Sequence, residues 1–233
     1  MTDPSTKGAA SAVAVYLDGR RVGMLTSPAS RGGPVSFAYD RDVLGDQTAA
    51  VSVRLPVRAT PYPEHEALPC FENLLPDGDL RALLAASVHR ASTDVVGLLG
   101  VFGGECAGAL SLWPEGQTPP AQPTYRPCTA EDVRAAFAPS ALAGRNDLRQ
   151  PSRADDAGGA VSAGLPVVLA QGRMSMSGAQ EKLVLYRRPQ TGTQPPGAAP
   201  EYRLPVAGAP STVLIKRERS RFPGLLHNEL ACM

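Results

Sequence analysis

Eight consecutive residues, Ser175 to Lys182, have a composition that suits the binding of phosphate groups. They read Ser-Met-Ser-Gly-Ala-Gln-Glu-Lys, and the small residues Ser177, Gly178 and Ala179 let a backbone turn approach a ligand closely. Exposed N–H groups of such a turn can donate hydrogen bonds to phosphate oxygens. A plain hairpin turn has a similar composition, and the stretch is not a Walker loop. Taken alone, it leaves both interpretations open.

Two charged residues follow this stretch in a suggestive order. Lys216 ends a predicted strand, and Glu229 lies in the predicted opening turn of a helix. In a kinase N-lobe, a loop is likewise followed by a strand lysine that holds the phosphates and by a helix glutamate that orients the lysine. Taken singly, Lys216 could be a solvated strand-end residue, and Glu229 an exposed residue favoured by the helix dipole.

The residues that complete phosphoryl transfer do not follow. The reaction also needs an aspartate that positions the acceptor, and carboxylate and amide ligands for Mg²⁺. Four residues follow Glu229 and none is acidic, whereas Asp77 and Asp132 precede the loop. We therefore expect no catalytic residue and no metal ligand in these 233 residues, and we expect a fragment that is inactive alone.

The composition excludes several classes of protein. Apolar residues make up 43% and charged residues 19%, with a net charge of +1, which is typical of a globular chain without a strong field for nucleic acid. No run reaches the roughly 18 apolar residues that suggest a membrane span, and the N-terminus lacks the apolar core of a signal peptide. The four cysteines are widely scattered, as in a cytoplasmic protein with reduced thiols and no zinc site.

Several strands and helices are predicted around these residues. Alternating apolar residues, with a hairpin signal at Asp18-Gly19, predict four short antiparallel strands at 13–17, 22–25, 35–39 and 51–55. Helical spacing or caps predict helices at 79–89, after Thr93, and from Thr129 to 138. Later strands are predicted at 107–113, 167–170, 182–186 and 212–215.

These elements predict an α+β fold in several parts. We expect a flexible tail at residues 1–12 and a small antiparallel sheet with helices at 13–113. Residues 114–166 are expected to be a linker with one helix, poorly ordered after residue 138, and residues 167–233 a partial kinase-like, β-rich N-lobe. Residues 189–210 are rich in proline and glycine and are expected to form an exposed loop.

Five segments of the chain resemble segments of the HipA-type serine/threonine kinases, and they occur in the family's order. They cover the chain from about residue 13 onwards, and they are Val15–Gly23, Phe71–Asp77, Gly103–Leu110, Met174–Lys182 and Arg221–Glu229. The resemblance implies a bacterial kinase, usually the toxin of a toxin–antitoxin pair. Family members phosphorylate components of translation such as aminoacyl-tRNA synthetases.

The resemblance also implies a role for each residue of the site. ATP phosphates would be lined by residues of the loop and held by Lys216, which Glu229 would orient; the loop residues are Ser177, Gly178, Ala179, Gln180 and Lys182. Ser175 matches the family's inhibitory autophosphorylation site, where a phosphate would add roughly two negative charges.

The same resemblance implies ATP and Mg²⁺ as cofactors and a HipB-like DNA-binding antitoxin or a separate C-lobe chain as partner. An N-lobe alone leaves the adenine pocket half open, so we do not expect firm ATP binding by this fragment. Two alternatives stay open: a non-enzymatic module that binds a kinase core or antitoxin, and an unrelated β-rich binding protein.

Overall fold

A computed structural model shows an α+β fold, as predicted. It describes residues 11–28, 34–106, 108–137, 174, 177–178, 182–189, 200–218 and 223–227. Within these residues, two four-stranded antiparallel sheets are accompanied by four α-helices.

The first sheet has the strand order β3-β2-β1-β4. Its strands are β1 (Ser11–Leu17), β2 (Arg20–Ser27), β3 (Ser36–Tyr39) and β4 (Leu110–Pro114). The predicted hairpin between β1 and β2 is confirmed, because Asp18 and Gly19 have φ values of 49° and 75°. Positive φ at both central residues is what a type I′ turn requires.

The predicted strand at residues 51–55 is wrong. Its residues form a turn with one isolated bridge between Ser52 and Leu55, and Val53 is 98% exposed. The Tyr39 hydroxyl accepts a hydrogen bond from Val51 N–H at 3.0 Å and donates one to Leu55 O, so a side chain satisfies the backbone groups that a strand partner would otherwise take. The fourth strand of the sheet is instead β4.

Three helices follow the first three strands: α1 (Glu64–Glu72), α2 (Gly78–Ser87) and α3 (Val95–Phe102). The helix α1, which contains Pro69, was not predicted. α3 packs on β1 and β4, and six of its eight residues are buried. Its cap is Asp94, whose Oδ1 accepts from Gly97 N–H at 2.9 Å, rather than the expected Thr93.

The second sheet has the order β5-β7-β6-β8. Its strands are β5 (Thr124–Pro127), β6 (Lys182–Arg187), β7 (Tyr202–Val206) and β8 (Val213–Lys216). The strands β6 and β8 were predicted. The strands β5 and β7 lie in segments expected to be a linker and an exposed loop, so those two expectations were wrong. Stacking of Tyr125 on Tyr186, with ring centroids 4.3 Å apart, helps to hold β5 on this sheet.

The helix α4 (Ala130–Ala136) begins with the predicted capping box. Thr129 Oγ1 accepts from Asp132 N–H at 3.1 Å, and Asp132 Oδ2 accepts from Thr129 N–H at 2.8 Å. The segments expected at 139–166, 167–170 and 228–233 lie outside the described residues.

One continuous apolar core joins the two sheets. It contains large side chains from the first sheet and its helices, among them Phe37, Phe71 and Phe102, together with Leu183 and Leu204 from the second sheet. The residues on either side of the stretch 175–182 therefore pack directly on the N-terminal part of the chain.

Candidate nucleotide site

The structure describes part of the predicted site. Ser177, Gly178, Lys182 and Lys216 are described. Lys182 contacts Ser177 and lies opposite Lys216 on the neighbouring strand. The remaining predicted site residues lie outside the described part of the chain: Ser175, Ala179, Gln180 and Glu229.

Gly178 has a backbone conformation that favours glycine. Its φ is +92°, a value that side-chain-bearing residues rarely adopt, and a Cβ built there would lie 3.2 Å from Lys182 Nζ. Gly178 O accepts a hydrogen bond from Asp77 N–H at 3.4 Å, and Gly178 forms a parallel bridge with Pro76. The loop is thus tied to the residues just before α2.

Lys182 closes the turn from the other side. It is the first residue of β6, and its ammonium donates a hydrogen bond back to Ser177 O. The positive charge therefore lies beside the loop rather than out in solvent. An ammonium group attracts a phosphate as a point charge.

Lys182 and Lys216 lie directly opposite each other in the register of β6 and β8. Residues paired in this way share one face of the sheet, and like charges directly opposite destabilise a strand pair. The chain has three lysines, Lys7, Lys182 and Lys216, against 20 arginines, so two of its three lysines lie at this one position of the sheet. A chain of phosphates carries the charge that ammonium groups attract.

Two further residues at this place were missed by the sequence-based prediction. Met174, which is fully buried, forms a parallel bridge with Glu105 just before the loop. Glu105 Oε1 accepts hydrogen bonds from Ser211 N–H and Ser211 Oγ–H, both at 2.6 Å. Burial raises the pKa of Glu105, and the two bonds from Ser211 oppose this effect. Glu105 lies within the segment Gly103–Leu110 noted above, but nothing in its spacing pointed to this contact.

The end of β8 is anchored as well. Arg217, the residue after Lys216, donates a hydrogen bond from Nη1 to Phe137 O at 2.7 Å. This bond connects the strand that carries the lysine to the end of α4.

A magnesium site does not emerge from the described residues. No group of three His, Cys, Asp or Glu side chains comes together there in a way that could hold a metal ion.

In the part of the chain that the structure describes, no helix is long and apolar enough to cross a membrane.

Comparison with known proteins places the N-terminal part in a family. Residues 13–113 match the family model described as the HipA N-terminal domain. A curated relative from Sinorhizobium fredii, named "Putative kinase Y4mE", is 33% identical over 226 residues, which cover 94% of this chain and 46% of that protein.

A solved structure shows the same fold. It is a chain of the Shewanella oneidensis MR-1 toxin–antitoxin complex of HipA, HipB and operator DNA, with a TM-score of 0.57 and 20% identity, covering 89% of this chain and 41% of that one. The chain thus spans less than half the length of both proteins. Residues 13–113 thus match the HipA N-terminal domain, and the chain as a whole is similar to proteins of the HipA type.

Proposed function

We propose that the chain supplies the phosphate-binding part of a HipA-type serine/threonine protein kinase, the toxin of a cytoplasmic toxin–antitoxin pair. The observation that carries the proposal is the pair Lys182 and Lys216, opposed on β6 and β8 beside the positive-φ residue Gly178. The kinase name of the Sinorhizobium relative supports the same activity.

Each residue of the site has a distinct task in this proposal. Backbone N–H groups of Ser177 to Gln180 donate to phosphate oxygens, as in other anion-binding turns. Lys182 and Lys216 neutralise the phosphate charge, and Glu229 orients Lys216. ATP would bring the transferable phosphoryl group, and Mg²⁺, which kinases use to neutralise it, has no ligand set among the described residues, so no step is assigned to it here.

Ser175 would regulate the site. It lies three residues before Gly178, and a phosphate on its hydroxyl would place roughly two negative charges beside the loop. Those charges would compete with ATP for the same lysines. Phosphorylation of Ser175 would therefore lower the affinity for nucleotide.

We further propose that residues 167–233 form an N-lobe resting on an accessory domain at 13–113, and that the 233 residues do not transfer phosphate by themselves. The groups that position the acceptor hydroxyl would come from a kinase C-lobe. A HipB-like DNA-binding antitoxin would be the partner and translation components the substrates. The solved relative is described with HipB and operator DNA, which supports the choice of partner.

A titration of Mg-ATP followed by NMR tests the proposal. We expect weak binding, with a Kd on the order of 1 mM for a half-open site. Binding should be at least about tenfold weaker in Lys216→Ala, because the phosphate loses the ammonium group that attracts it. Lys7→Ala is the matched control, since it removes a lysine from outside the site and should leave the Kd unchanged. Identical titrations for all three proteins would contradict the proposal.

A further inference from the structure

Glu105 lies where the N-terminal domain meets both arms of the phosphate site. Its backbone bridges to Met174, the residue directly before the loop, and its carboxylate accepts two hydrogen bonds from Ser211. Ser211 lies two residues before β8, the strand that ends in Lys216. One residue therefore contacts the start of the loop and the start of the lysine strand.

The turn before Ser211 is held at the same junction. Gly208 has a φ of +80°, and a Cβ there would lie 2.9 Å from Trp113 Cζ2 and 3.0 Å from Gly104 O. This turn between β7 and β8 is packed closely against β4 and against the backbone next to Glu105. Trp113, which is 5% exposed, is the chain's one tryptophan and reports on this contact.

Only one of the two carboxyl oxygens of Glu105 has hydrogen-bond partners among the described residues. Oε1 has its two bonds from Ser211, but Oε2 is shielded from solvent and has no hydrogen-bond partner among the described residues. A buried carboxylate oxygen without a partner destabilises the fold, so its presence calls for an explanation. Both short bonds go to Oε1, and one of them holds the backbone N–H of Ser211.

We propose that Glu105 is a positioning residue for the nucleotide site, through which the N-terminal domain fixes the loop and the lysine strand relative to each other. This inference rests on the proposed nucleotide binding by the loop, Lys182 and Lys216. Glu105 does not touch the nucleotide and acts through Ser211 and Met174. A second link, the bridge between Pro76 and Gly178, joins the same domain to the far side of the loop.

The test compares Glu105→Ala, Glu105→Gln and Ser211→Ala with the wild-type chain. Amide hydrogen exchange of residues 204–216 and Trp113 fluorescence are measured without nucleotide. In Glu105→Ala, exchange of the Ser211 amide should rise about tenfold, because its charged acceptor is lost, and Trp113 emission should shift to longer wavelength. Glu105→Gln keeps an acceptor and should restore most of the protection.

The matched control is Glu115→Gln, which replaces an exposed glutamate just after the end of that domain in the same way and should change neither signal. Ser211→Ala removes one of the two bonds without touching Glu105, and it serves if Glu105→Ala does not fold. Unchanged exchange at Ser211 in the folded variants overturns the proposal. So does an equal rise in exchange throughout α3, because that result shows only global destabilisation.

An ATP titration separates this inference from the proposed function. If the wild-type chain binds ATP, Glu105→Ala should weaken the affinity about tenfold and Glu115→Gln should not. An unchanged affinity in Glu105→Ala overturns the positioning role. If the wild-type chain binds no ATP, the proposed function is wrong for this chain, and the exchange data still decide whether Glu105 holds the junction.

Discussion

At the scale of single residues, the candidate site depends on one backbone angle and on the pairing of two lysines, and amino-acid composition reveals neither. Gly178 supplies a backbone angle of +92°, and Lys182 and Lys216 supply two ammonium groups on one face of a sheet. The sequence marked all three as candidates, because glycine and lysine suit phosphate. That the two lysines lie opposite each other follows from the pairing of β6 with β8, which the structure shows.

Replacing Gly178 tests the first feature. Gly178→Ala should lower the free energy of unfolding by about 1–2 kcal/mol, because a Cβ is strained at positive φ, and it should also weaken ATP binding. Gly116→Ala is the matched control, since Gly116 has a φ of +81° and open space around it, far along the chain from the loop. Urea unfolding should show similar losses of stability in Gly178→Ala and Gly116→Ala. ATP titration should show a weaker affinity in Gly178→Ala alone. Equal affinities would contradict the role of Gly178.

The pH dependence of stability tests the environment of Glu105. Burial raises the pKa of this carboxyl in the folded chain, so ionising it costs more in the folded state than in the unfolded state. This cost does not affect the free energy of unfolding below the ordinary pKa of glutamate. It lowers the free energy of unfolding as the pH rises through the raised pKa. The nearby titratable group is Tyr125, whose own pKa is raised by burial, and it stays neutral in this range.

We therefore expect the free energy of unfolding of the wild-type chain to fall, relative to Glu105→Gln, as the pH rises from 4 toward neutrality. Urea unfolding of both proteins across this range measures the difference. A difference that stays constant with pH would show that Glu105 is not in the environment described here.

At the scale of elements, the prediction succeeded where local chemistry is sufficient. The Asp18-Gly19 hairpin, the strand at Lys182 and the capping box at Thr129 each follow from a few neighbouring residues. It failed at β5 and β7, because prolines there suggested loops. Pro205 nevertheless lies in a strand between two others, opposite Tyr125 of β5. Long-range pairing and packing stabilise those strands, and a single sequence displays neither.

The cap of α4 provides a test at this scale. Thr129→Ala should destabilise the chain by about 1 kcal/mol, because the Asp132 N–H loses its acceptor at the helix start. Three hydrogen bonds lower the pKa of Asp132 to about 2. In order of size, they come from the Thr129 backbone, the Thr129 side chain and the Arg126 side chain. This contribution is present above the ordinary aspartate pKa and is lost as the pH falls toward 2.

Thermal or urea unfolding at neutral pH and near pH 2 should thus show a difference between wild type and Thr129→Ala that shrinks with acid. Glu131→Ala is the control, since Glu131 lies in the same turn, is 75% exposed and only pairs with Arg134. A larger loss in Glu131→Ala than in Thr129→Ala would contradict the capping account.

At the scale of the whole molecule, the N-terminal domain packs against the segments that carry the candidate phosphate site. They share an apolar core, and two separate bridges, at Pro76 and at Glu105, connect the domain to the loop. Family resemblance identified the segments that contain Pro76 and Glu105 but not their contact with the loop. If the proposed function holds, this arrangement gives the domain a direct influence on nucleotide binding, within a chain that spans less than half the length of the relatives compared above.

The most direct test of the central claim is labelling with an ATP acyl-phosphate probe, which transfers an acyl group to lysines near bound phosphates. The chain offers three lysines, so peptide mass spectrometry can compare all of them. We predict that Lys182 and Lys216 are labelled and that excess ATP protects both, whereas Lys7 is labelled without protection. Equal labelling of the three lysines, unaffected by ATP, would contradict the claim that β6 and β8 present a phosphate-binding pair.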